Sequence, residues 1–432
     1  MGIRTPLLAC LAALAALVTA PELAAQTGRI AAIRVVGSQR YTEAQVAAAS
    51  GLHLRDTVGR EEIQAAADRL SQLGSFASVR FRFTSAGESV AVEFQVEDAP
   101  TVPVFFDNFP WFTDDELTAA LRQAVDLFDG TAPEQGSILD QLTETLRKVL
   151  ATRGIHAAVE RTLMARPGGD GMMQQFRVVG ASLRINAIQF GDPLAAQSKR
   201  VADRLSDLVG KPYSRFAVEV FSGEQVRPLY LGQGHLRVRF GRPLTRFTGD
   251  PNRPLPDSVL VIVPIEPGPV YRFGGVEWTG MAAFGPAALN EFLDLKTGEV
   301  ADGIKIAAAW PRVQEEYGRR GYVEMMLEPK PLFDEAVQRV IYRVGITEGA
   351  AYRMGDLVLT GLSLAAENRL REAWRLLRGE IFDRSYFERF LVKLEKGGAE
   401  IFGDLPIHYE QTGHWLRTNP NTRTVDVLLD FK

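Results

Sequence analysis

Residues 271–280 read YRFGGVEWTG, and residues 352–361 read YRMGDLVLTG. The match extends upstream of both stretches, so that seven residues recur in the same order. They are Ile265, Gly268, Tyr271, Arg272, Gly274, Thr279 and Gly280 in the first copy, and Ile346, Gly349, Tyr352, Arg353, Gly355, Thr360 and Gly361 in the second. A duplicated phrase of this kind indicates an internal repeat. An internal repeat constrains the whole fold, so it is analysed before single motifs.

A set of glycines supports a repeat of about 80 residues. Each follows a helix-like pattern and precedes a strand-like pattern, where glycine commonly ends a helix in the left-handed conformation. The set comprises Gly74, Gly154, Gly234, Gly321 and Gly403, with successive separations of 80, 80, 87 and 82 residues. The chain after its first 25 residues therefore accommodates five units of this length.

The first unit shows the order of elements inside one repeat. Residues 30–36 have the pattern of a strand, and a short helix starting near Glu43 precedes a second helix. The second helix places Ile63, Ala67, Leu70 and Leu73 on one stripe. Residues 76–83 and 90–96 alternate apolar and polar side chains, as half-buried strands do. The predicted order is strand, helix, helix, strand, strand.

Helix starts and turns are marked independently of this periodicity. Thr42 with Gln45, and Thr113 with Glu116, have the spacing of capping boxes. A further set of glycines recurs 18 or 19 residues after the end of a first strand, and is expected to turn the chain between the two helices. These are Gly210, Gly298 and Gly379.

The amino terminus has the layout of a secretory signal peptide. Arg4 precedes an apolar run over residues 7–20, and the small residues before Gln26 resemble a cleavage site. The run is too short for a spanning helix, and no later stretch reaches the length that one needs. The only cysteine, Cys10, lies in this segment. The alternative that Cys10 carries a lipid leaves almost no apolar region before it, so a cleaved signal peptide over residues 1–25 is the expectation.

Composition excludes several classes of function. The 432-residue chain is 46% hydrophobic and has a formal net charge of −4, which gives no electrostatic reason to bind nucleic acid. The five histidines lack the spacing of metal sites, and neither a nucleophile elbow nor a phosphate-binding glycine loop occurs. The sequence therefore predicts a protein that is not an enzyme, with no cofactor, no metal and no small-molecule substrate.

The repeat resembles the POTRA (polypeptide-transport-associated) domain of outer-membrane protein assembly factors of the BamA type. The resemblance is carried by IRVVGSQRYTEAQVAAASGL at residues 33–52, by EEIQAAADRLSQLGSFASVRFRF at residues 61–83, and by the duplicated junction phrase. The second unit departs from the pattern with Asn108 in place of a glycine, and the third carries a Pro-rich insertion over residues 243–256.

This resemblance implies an α+β fold: a tandem array of five β-α-α-β-β POTRA modules, each with two helices packed on a three-stranded mixed sheet, and no β-barrel within these residues. The expected boundaries are a signal peptide at 1–25 and modules at 29–99, 100–181, 182–268, 269–349 and 350–432. Family members hold such modules in the periplasm before a membrane barrel. Without that barrel, docking and chaperoning are expected of this chain, and membrane insertion is not among its expected roles.

Two stretches in which arginine alternates with apolar residues are the candidate partner-binding edge strands. The first comprises Val79, Arg80, Phe81, Arg82 and Phe83, and the second Leu236, Arg237, Val238, Arg239 and Phe240. One interpretation is structural, because charged side chains on an outer strand discourage aggregation. The other is functional, because an open sheet edge accepts an extended chain by β-augmentation. The two interpretations are compatible.

The resemblance implies a periplasmic scaffold in outer-membrane protein assembly or transport. Its expected partners are unfolded or extended outer-membrane polypeptides. A separate outer-membrane barrel protein is a further candidate partner, and through its partners the chain is expected to associate with that membrane. The alternative is a structural adaptor that docks on such a barrel, or on another cell-envelope complex, and binds no client.

Overall fold

The computed structural model describes residues 27–167, 169–181, 183–248, 257–403, 405, 409 and 411–432. The expected signal peptide, with Cys10, and most of the Pro-rich insertion lie outside these residues. The chain forms two compact units. The first is Met1–Leu183 with Tyr213–Phe216, and the second is Arg184–Pro212 with Ala217–Lys432.

The first sheet of unit 1 has the strand order β2-β1-β4-β3. The central strand β4 runs parallel to β1 and antiparallel to β3. The elements are β1 (Gly28–Val36), α1 (Glu43–Ser50), β2 (Thr57–Val58), α2 (Arg60–Gln72), β3 (Phe76–Ala86) and β4 (Ser89–Asp98). Thr42 caps α1 in a capping box with Gln45, as predicted.

The second sheet of unit 1 repeats this arrangement as β6-β5-β8-β7. Its elements are β5 (Val102–Asp107), α3 (Asp114–Ala124), β6 (Thr131–Ala132), α4 (Ile138–Ala151), β7 (Ala158–Ala165) and β8 (Met172–Val179). The capping box of Thr113 and Glu116 starts α3, as predicted. Helices α2 and α4 meet end to end: the backbone N–H groups of Ser137 and Ile138 donate to the carbonyls of Gln72 and Leu73, at 2.9 and 3.3 Å.

The third sheet has the order β11-β12-β9, and a separate two-stranded ribbon pairs β10 with β13. The elements are β9 (Arg184–Phe190), α5 (Pro193–Ala196), α6 (Lys199–Arg204), a 3-10 turn (Leu205–Asp207), α7 (Arg215–Phe221), a π-helical turn (Ser222–Val226), α8 (Arg227–Leu231), β10 (Arg239–Phe240), β11 (Leu244–Thr248), β12 (Ser258–Val263) and β13 (Ile265–Glu266). Pro228 explains the π-helical turn, because proline lacks the N–H that continues the α-helical ladder.

The fourth and fifth sheets, in unit 2, have the orders β14-β16-β15 and β17-β19-β18. The fourth contains β14 (Arg272–Thr279), α9 (Pro286–Asn290), a 3-10 turn (Glu291–Leu293), α10 (Gly303–Arg319), β15 (Met326–Asp334) and β16 (Arg339–Thr347). The fifth contains β17 (Arg353–Thr360), α11 (Leu364–Ala373), α12 (Arg384–Glu395), α13 (Ala399–Phe402), β18 (Thr412–Asn419) and β19 (Thr424–Phe431).

The predicted fold class is confirmed: helices pack on mixed sheets in which the last long strand is central, and the pattern recurs along the chain. The number of modules and their boundaries remain predictions. Within the ranges described above, no helix combines the length and apolar character needed to cross a membrane.

The fourth sheet illustrates how the sequence builds each core. Alternate residues of β16, such as Val340 and Val344, are buried against the helices. The facing stripe of α10 is Ile306, Ala309, Val313 and Tyr317, spaced by three or four residues as one helix face. Each module therefore has one helix-covered sheet face, here called the helix face, and an opposite open face.

The duplicated phrase lies where the chain passes from one sheet to the next. The N–H of Tyr271 donates to the Gly234 carbonyl at 2.9 Å, and the N–H of Tyr352 donates to the Gly321 carbonyl at 2.8 Å. The adjacent arginines hold the predicted interhelical turns. Arg272 donates to the Gly298 carbonyl and Arg353 to the Gly379 carbonyl, each at 2.8 Å, and Arg184 donates to the Gly210 carbonyl at 2.9 Å. The repeat is therefore a fold signal.

The last glycine of the phrase follows the first strand where the chain passes the central strand. Gly280 has φ +81°, and a Cβ there would lie 2.1 Å from the Ile346 carbonyl oxygen. Asn108 holds the corresponding place after β5 with φ +62°, and its Nδ2 donates to the Val178 carbonyl at 2.9 Å. Asparagine thus replaces glycine because it tolerates this conformation and adds a hydrogen bond.

Gly403, the last glycine of the predicted helix-ending set, caps a helix ahead of the strand β18, but the helix is the additional four-residue α13. The longer helix α12 ends at Glu395, and Gly397 follows it with φ +86°. The pattern did not predict this second stop, because α13 continues the apolar core with Ile401 and Phe402.

Candidate partner-binding edges

The first predicted site lies on β3, an outermost strand of the first sheet. β3 has 11 residues and pairs with β4 from Phe76 to Ala86, with a bulge near its start. Its other side has no strand partner among the described residues. The predicted residues 79–83 occupy the middle of this strand. An unpaired row of backbone donors and acceptors is a template for another extended chain.

The two faces of β3 differ in chemistry. Val79, Phe81 and Phe83 are half-buried and pair in register with Val96, Phe94 and Val92, which are buried under the helices. They therefore form an apolar row on the helix face. A strand added outside β3 would cover this row and remove it from water.

Arginines occupy the open face of the same strand. Arg82 forms an ion pair with Glu93 on β4, with 2.7 Å between Nη2 and Oε1. The hydrogen bond from Arg82, followed by one from Gln95, lowers the pKa of Glu93. Arg80 is exposed and lies directly opposite Gln95, with no ion pair to a described residue. One guanidinium is thus satisfied within the sheet and the other is not.

The direction in which the N–H groups of an edge strand point can be established in the fifth sheet. Gln411 and Lys432 exchange both backbone hydrogen bonds, at 3.2 and 3.0 Å. Alternate residues of an antiparallel strand bond to the same neighbour, so Gly413, Trp415 and Arg417 also bond to β19. These residues lie on the open face. The helix-face residues between them therefore direct their N–H groups outward.

The fourth sheet shows the same phase. Pro329 and Pro331 of β15 pair in register with Val344 and Tyr342 without a register break. Proline has no N–H, so a ladder can pass through both positions only where the N–H would point outward. Because the first sheet has the same strand order and directions, the outward N–H groups of β3 belong to Val79, Phe81 and Phe83.

The two prolines close the edge that β15 would otherwise present. They lie at consecutive outward positions of a nine-residue strand, so two adjacent donors are missing. Lys330, between them, is exposed. Proline and lysine on an outer strand are established features of edges that resist further pairing. A chain docking on β15 would leave two of its own carbonyls without donors.

Two other outermost strands resemble β3 rather than β15. β7 and β18 each contain eight residues and no proline. On β18, Trp415 is 53% exposed and its indole lies over Gly413, where a Cβ would approach the ring to 2.6 Å. Both strands have an unpaired outer side among the described residues.

The second predicted site is wrong as an edge strand over most of its length. Leu236 to Val238 form a turn after α8, in which the N–H of Val238 donates to the His235 carbonyl at 3.2 Å. Only Arg239 and Phe240 form a strand, paired with β13. Alternating apolar and charged residues fit a turn packed on a core equally well, since Val238 is 3% exposed.

The outermost strand of the third sheet is instead β11, a five-residue strand paired with β12. Pro243 precedes β11, and Pro264 separates β12 from β13. The two prolines interrupt what would otherwise be one long hairpin, because each lacks a ladder donor. Pro243 and Pro264 are the sequence features from which this interruption could have been predicted.

The arginines of the second site hold neighbouring parts of unit 2 together. Arg237 bonds to Glu335 and lies over the Phe333 ring, 5.3 Å from its centroid. Glu335 also accepts a hydrogen bond from the Tyr271 hydroxyl at 2.8 Å. Arg239 pairs with Glu266 across the ribbon at 2.7 Å. These contacts give both arginines structural roles.

Comparisons with known proteins agree with this fold. Residues 271–349 match the POTRA family model, described as a surface antigen variable number repeat. A putative outer membrane protein assembly factor of Treponema pallidum is 22% identical over 309 residues, which is 69% of this chain and 36% of that protein. The chain thus spans about a third of this relative.

Two solved structures of BamA fragments are similar to parts of this chain. POTRA domains 3–5 of Haemophilus influenzae BamA are 18% identical and cover 58% of this chain and 96% of theirs, with a TM-score of 0.43. BamA of Haemophilus ducreyi lacking POTRA domains 1–3 is 21% identical and covers 38% of this chain and 29% of its own, with a TM-score of 0.32.

Proposed function

We propose that this POTRA-domain protein is a non-enzymatic periplasmic scaffold, exported by a cleaved signal peptide, that binds extended client or accessory polypeptides during outer-membrane protein assembly or transport. The observation that carries the proposal is the set of proline-free outer strands β3, β7 and β18, each eight or more residues long. Their outward backbone groups suit recognition by β-augmentation.

The energetics favour loose binding at several places. A client strand forming four or five backbone hydrogen bonds gains about 0.5–1.5 kcal/mol for each. Part of that gain is offset by the association entropy and by the ordering of the client. Several edges on one chain raise the effective concentration of neighbouring sites, so a client can be retained without any tight single contact. Weak individual contacts also permit release.

A photo-crosslinking residue placed at Thr84 on β3, with a matched one at Lys330 on β15, tests this proposal in the native host. Both positions are exposed on outermost strands. We expect adducts with several outer-membrane polypeptides from Thr84 and few from Lys330. A single folded partner captured equally from both positions would favour the adaptor alternative. Absence of adducts from Thr84 would contradict client binding at β3.

A further inference from the structure

We propose that β3 selects client strands in which apolar residues alternate with polar ones and an acidic residue lies opposite Arg80. This inference rests on the proposed function and adds the class of sequence that the first edge accepts. The selecting residue is Arg80, which touches the client directly, and the apolar row formed by Val79, Phe81 and Phe83 sets which face of the client turns toward the helices.

The apolar row fixes the alternation. An added strand lies about 4.8 Å from β3, and its side chains alternate between the same two faces. Those on the helix face come to lie beside Val79, Phe81 and Phe83, which are half-buried in the free edge. Apolar client residues at these positions complete the cover of the row, whereas polar ones would lose water without gaining partners.

The charges on the open face fix the acidic position. Near Arg80 this face carries Arg34 and Arg82 as well as Glu93 and Glu97. Glu93 is already paired with Arg82, and Glu97 accepts a hydrogen bond from Ser78 at 3.4 Å. Neither Arg80 nor Arg34 forms an ion pair with a described residue, and of the two only Arg80 lies on the edge strand. A client residue directly opposite it would lie with its Cβ about 4.5–5.5 Å away.

Cross-strand geometry makes binding sensitive to the charge of the client residue opposite Arg80. Opposite charges facing each other on neighbouring strands attract, and like charges repel. The Arg80 guanidinium is fixed to the edge strand itself, whereas Arg34 lies on β1, two strands further in. At about 4.8 Å per strand, Arg34 is beyond a Debye length from the client at physiological salt. Arg80 should therefore dominate the charge preference.

Three labelled peptides provide the probe. Each alternates valine with threonine over about nine residues, and they differ only at the central polar position, which holds Glu, Gln or Lys. Binding to the full chain is followed by fluorescence anisotropy at physiological ionic strength, at which Arg34 is screened from the client. We expect the Glu peptide to bind about threefold more tightly than the Gln peptide and about tenfold more tightly than the Lys peptide.

The variants separate charge from edge recognition. Arg80→Glu should reverse the order of the Glu and Lys peptides, whereas Arg34→Glu, with the same change in net charge, should keep it. Val79→Pro removes an outward N–H and should weaken all three peptides, whereas Val79→Ala, which shortens the same side chain, should weaken them less. Hydrogen exchange of the β4 amides verifies that each variant retains the first sheet.

The outcomes distinguish binding of a strand at the edge from selection of that strand by charge. If Val79→Pro weakens binding and Arg80→Glu reverses the preference, both the edge and its selectivity are supported. If Val79→Pro weakens binding while Arg80→Glu leaves the order unchanged, the selectivity is wrong and β-augmentation stands. If neither variant changes binding, β-augmentation at β3 is wrong, and the selectivity inferred from it is wrong too.

Discussion

The outermost strands β3 and β15 occupy the same place in two sheets of the same order, yet one is open and the other is closed. Both run antiparallel to a central strand and direct their helix-face N–H groups outward. On β3 these positions hold Val79, Phe81 and Phe83, whereas on β15 two of them are Pro329 and Pro331. Two residues at alternate positions thus distinguish an edge with an uninterrupted row of outward donors from an edge that lacks two of them.

Repeats of one fold therefore need not share one role. The helix-covered cores of the modules follow a common pattern, so fold conservation alone would assign every edge the same ability to pair. Proline at outward positions leaves the ladder to the central strand intact and removes only the outward donors. Function can therefore be assigned edge by edge, and variants that exchange the two edge chemistries test the assignment.

The largest expected effect comes from proline at an inward position of the open edge. Arg82→Pro removes the N–H that pairs with β4 and the side chain that pairs with Glu93. We expect the first module to lose about 3 kcal/mol or more. Hydrogen exchange at Phe94 and its neighbours should show the loss directly. Arg82→Ala keeps the backbone donor and should cost less than about 1 kcal/mol. Equal effects of the two substitutions would contradict the inward direction.

An intermediate effect is expected when the closed edge is opened. Pro329→Val with Pro331→Val restores two adjacent outward donors on β15 without touching the ladder to β16. Each new bond to a docked strand is worth about 0.5–1.5 kcal/mol, so affinity for valine-rich extended peptides should rise roughly fivefold to a hundredfold. Peptide binding measures the gain, and sedimentation detects self-pairing of the opened edge. The single variant Pro329→Val should show a smaller gain. No gain from the double variant would show that the prolines do not close this edge.

The smallest expected effect concerns Glu93, whose pKa is lowered by the hydrogen bonds from Arg82 and Gln95. A carboxyl group with a lowered folded-state pKa contributes stability above its unfolded pKa, near 4.3, and loses that contribution as pH falls through the folded pKa. Glu93→Gln should therefore lower the stability by a small, constant amount between pH 5 and 8, and its difference from the parent should shrink as pH falls below about 4. Thermal unfolding should show a difference of no more than about 2 °C. A difference that grows between pH 6 and pH 8 would contradict the assignment.

Periodic features of the sequence predicted the fold well, because they report local or repeated geometry. The capping boxes at Thr42 and Thr113 join groups three residues apart, and the junction phrase recurs because Tyr271 and Tyr352 each bond to a preceding helix-ending glycine. The second edge was misplaced because Leu236–Val238 alternate like a strand while packing as a turn. Whether such a stretch forms a strand or a turn depends on its pairing with a distant strand. The alternation of apolar and charged residues does not specify that pairing.

The prolines of β15 are visible in the sequence, but the direction in which they face could be assigned only from the structure. The stretch Glu328-Pro329-Lys330-Pro331 shows alternation in the sequence, yet proline inside a predicted strand also fits a loop. Only the register with Val344 and Tyr342 shows that both prolines face outward. The same limit applied to Arg80 and Arg82, which look alike until Glu93 is placed opposite one of them.

The end-to-end meeting of α2 and α4 limits how far the first module can be completed alone. The carbonyls of Gln72 and Leu73 lie at the carboxyl end of α2, where no intrahelical donor is available, and the N–H groups of Ser137 and Ile138 fill their acceptor roles. A chain that stopped before Ser137 would leave both carbonyls to water. The start of the second module's helix therefore completes the first module, and the two are coupled at this joint rather than independent.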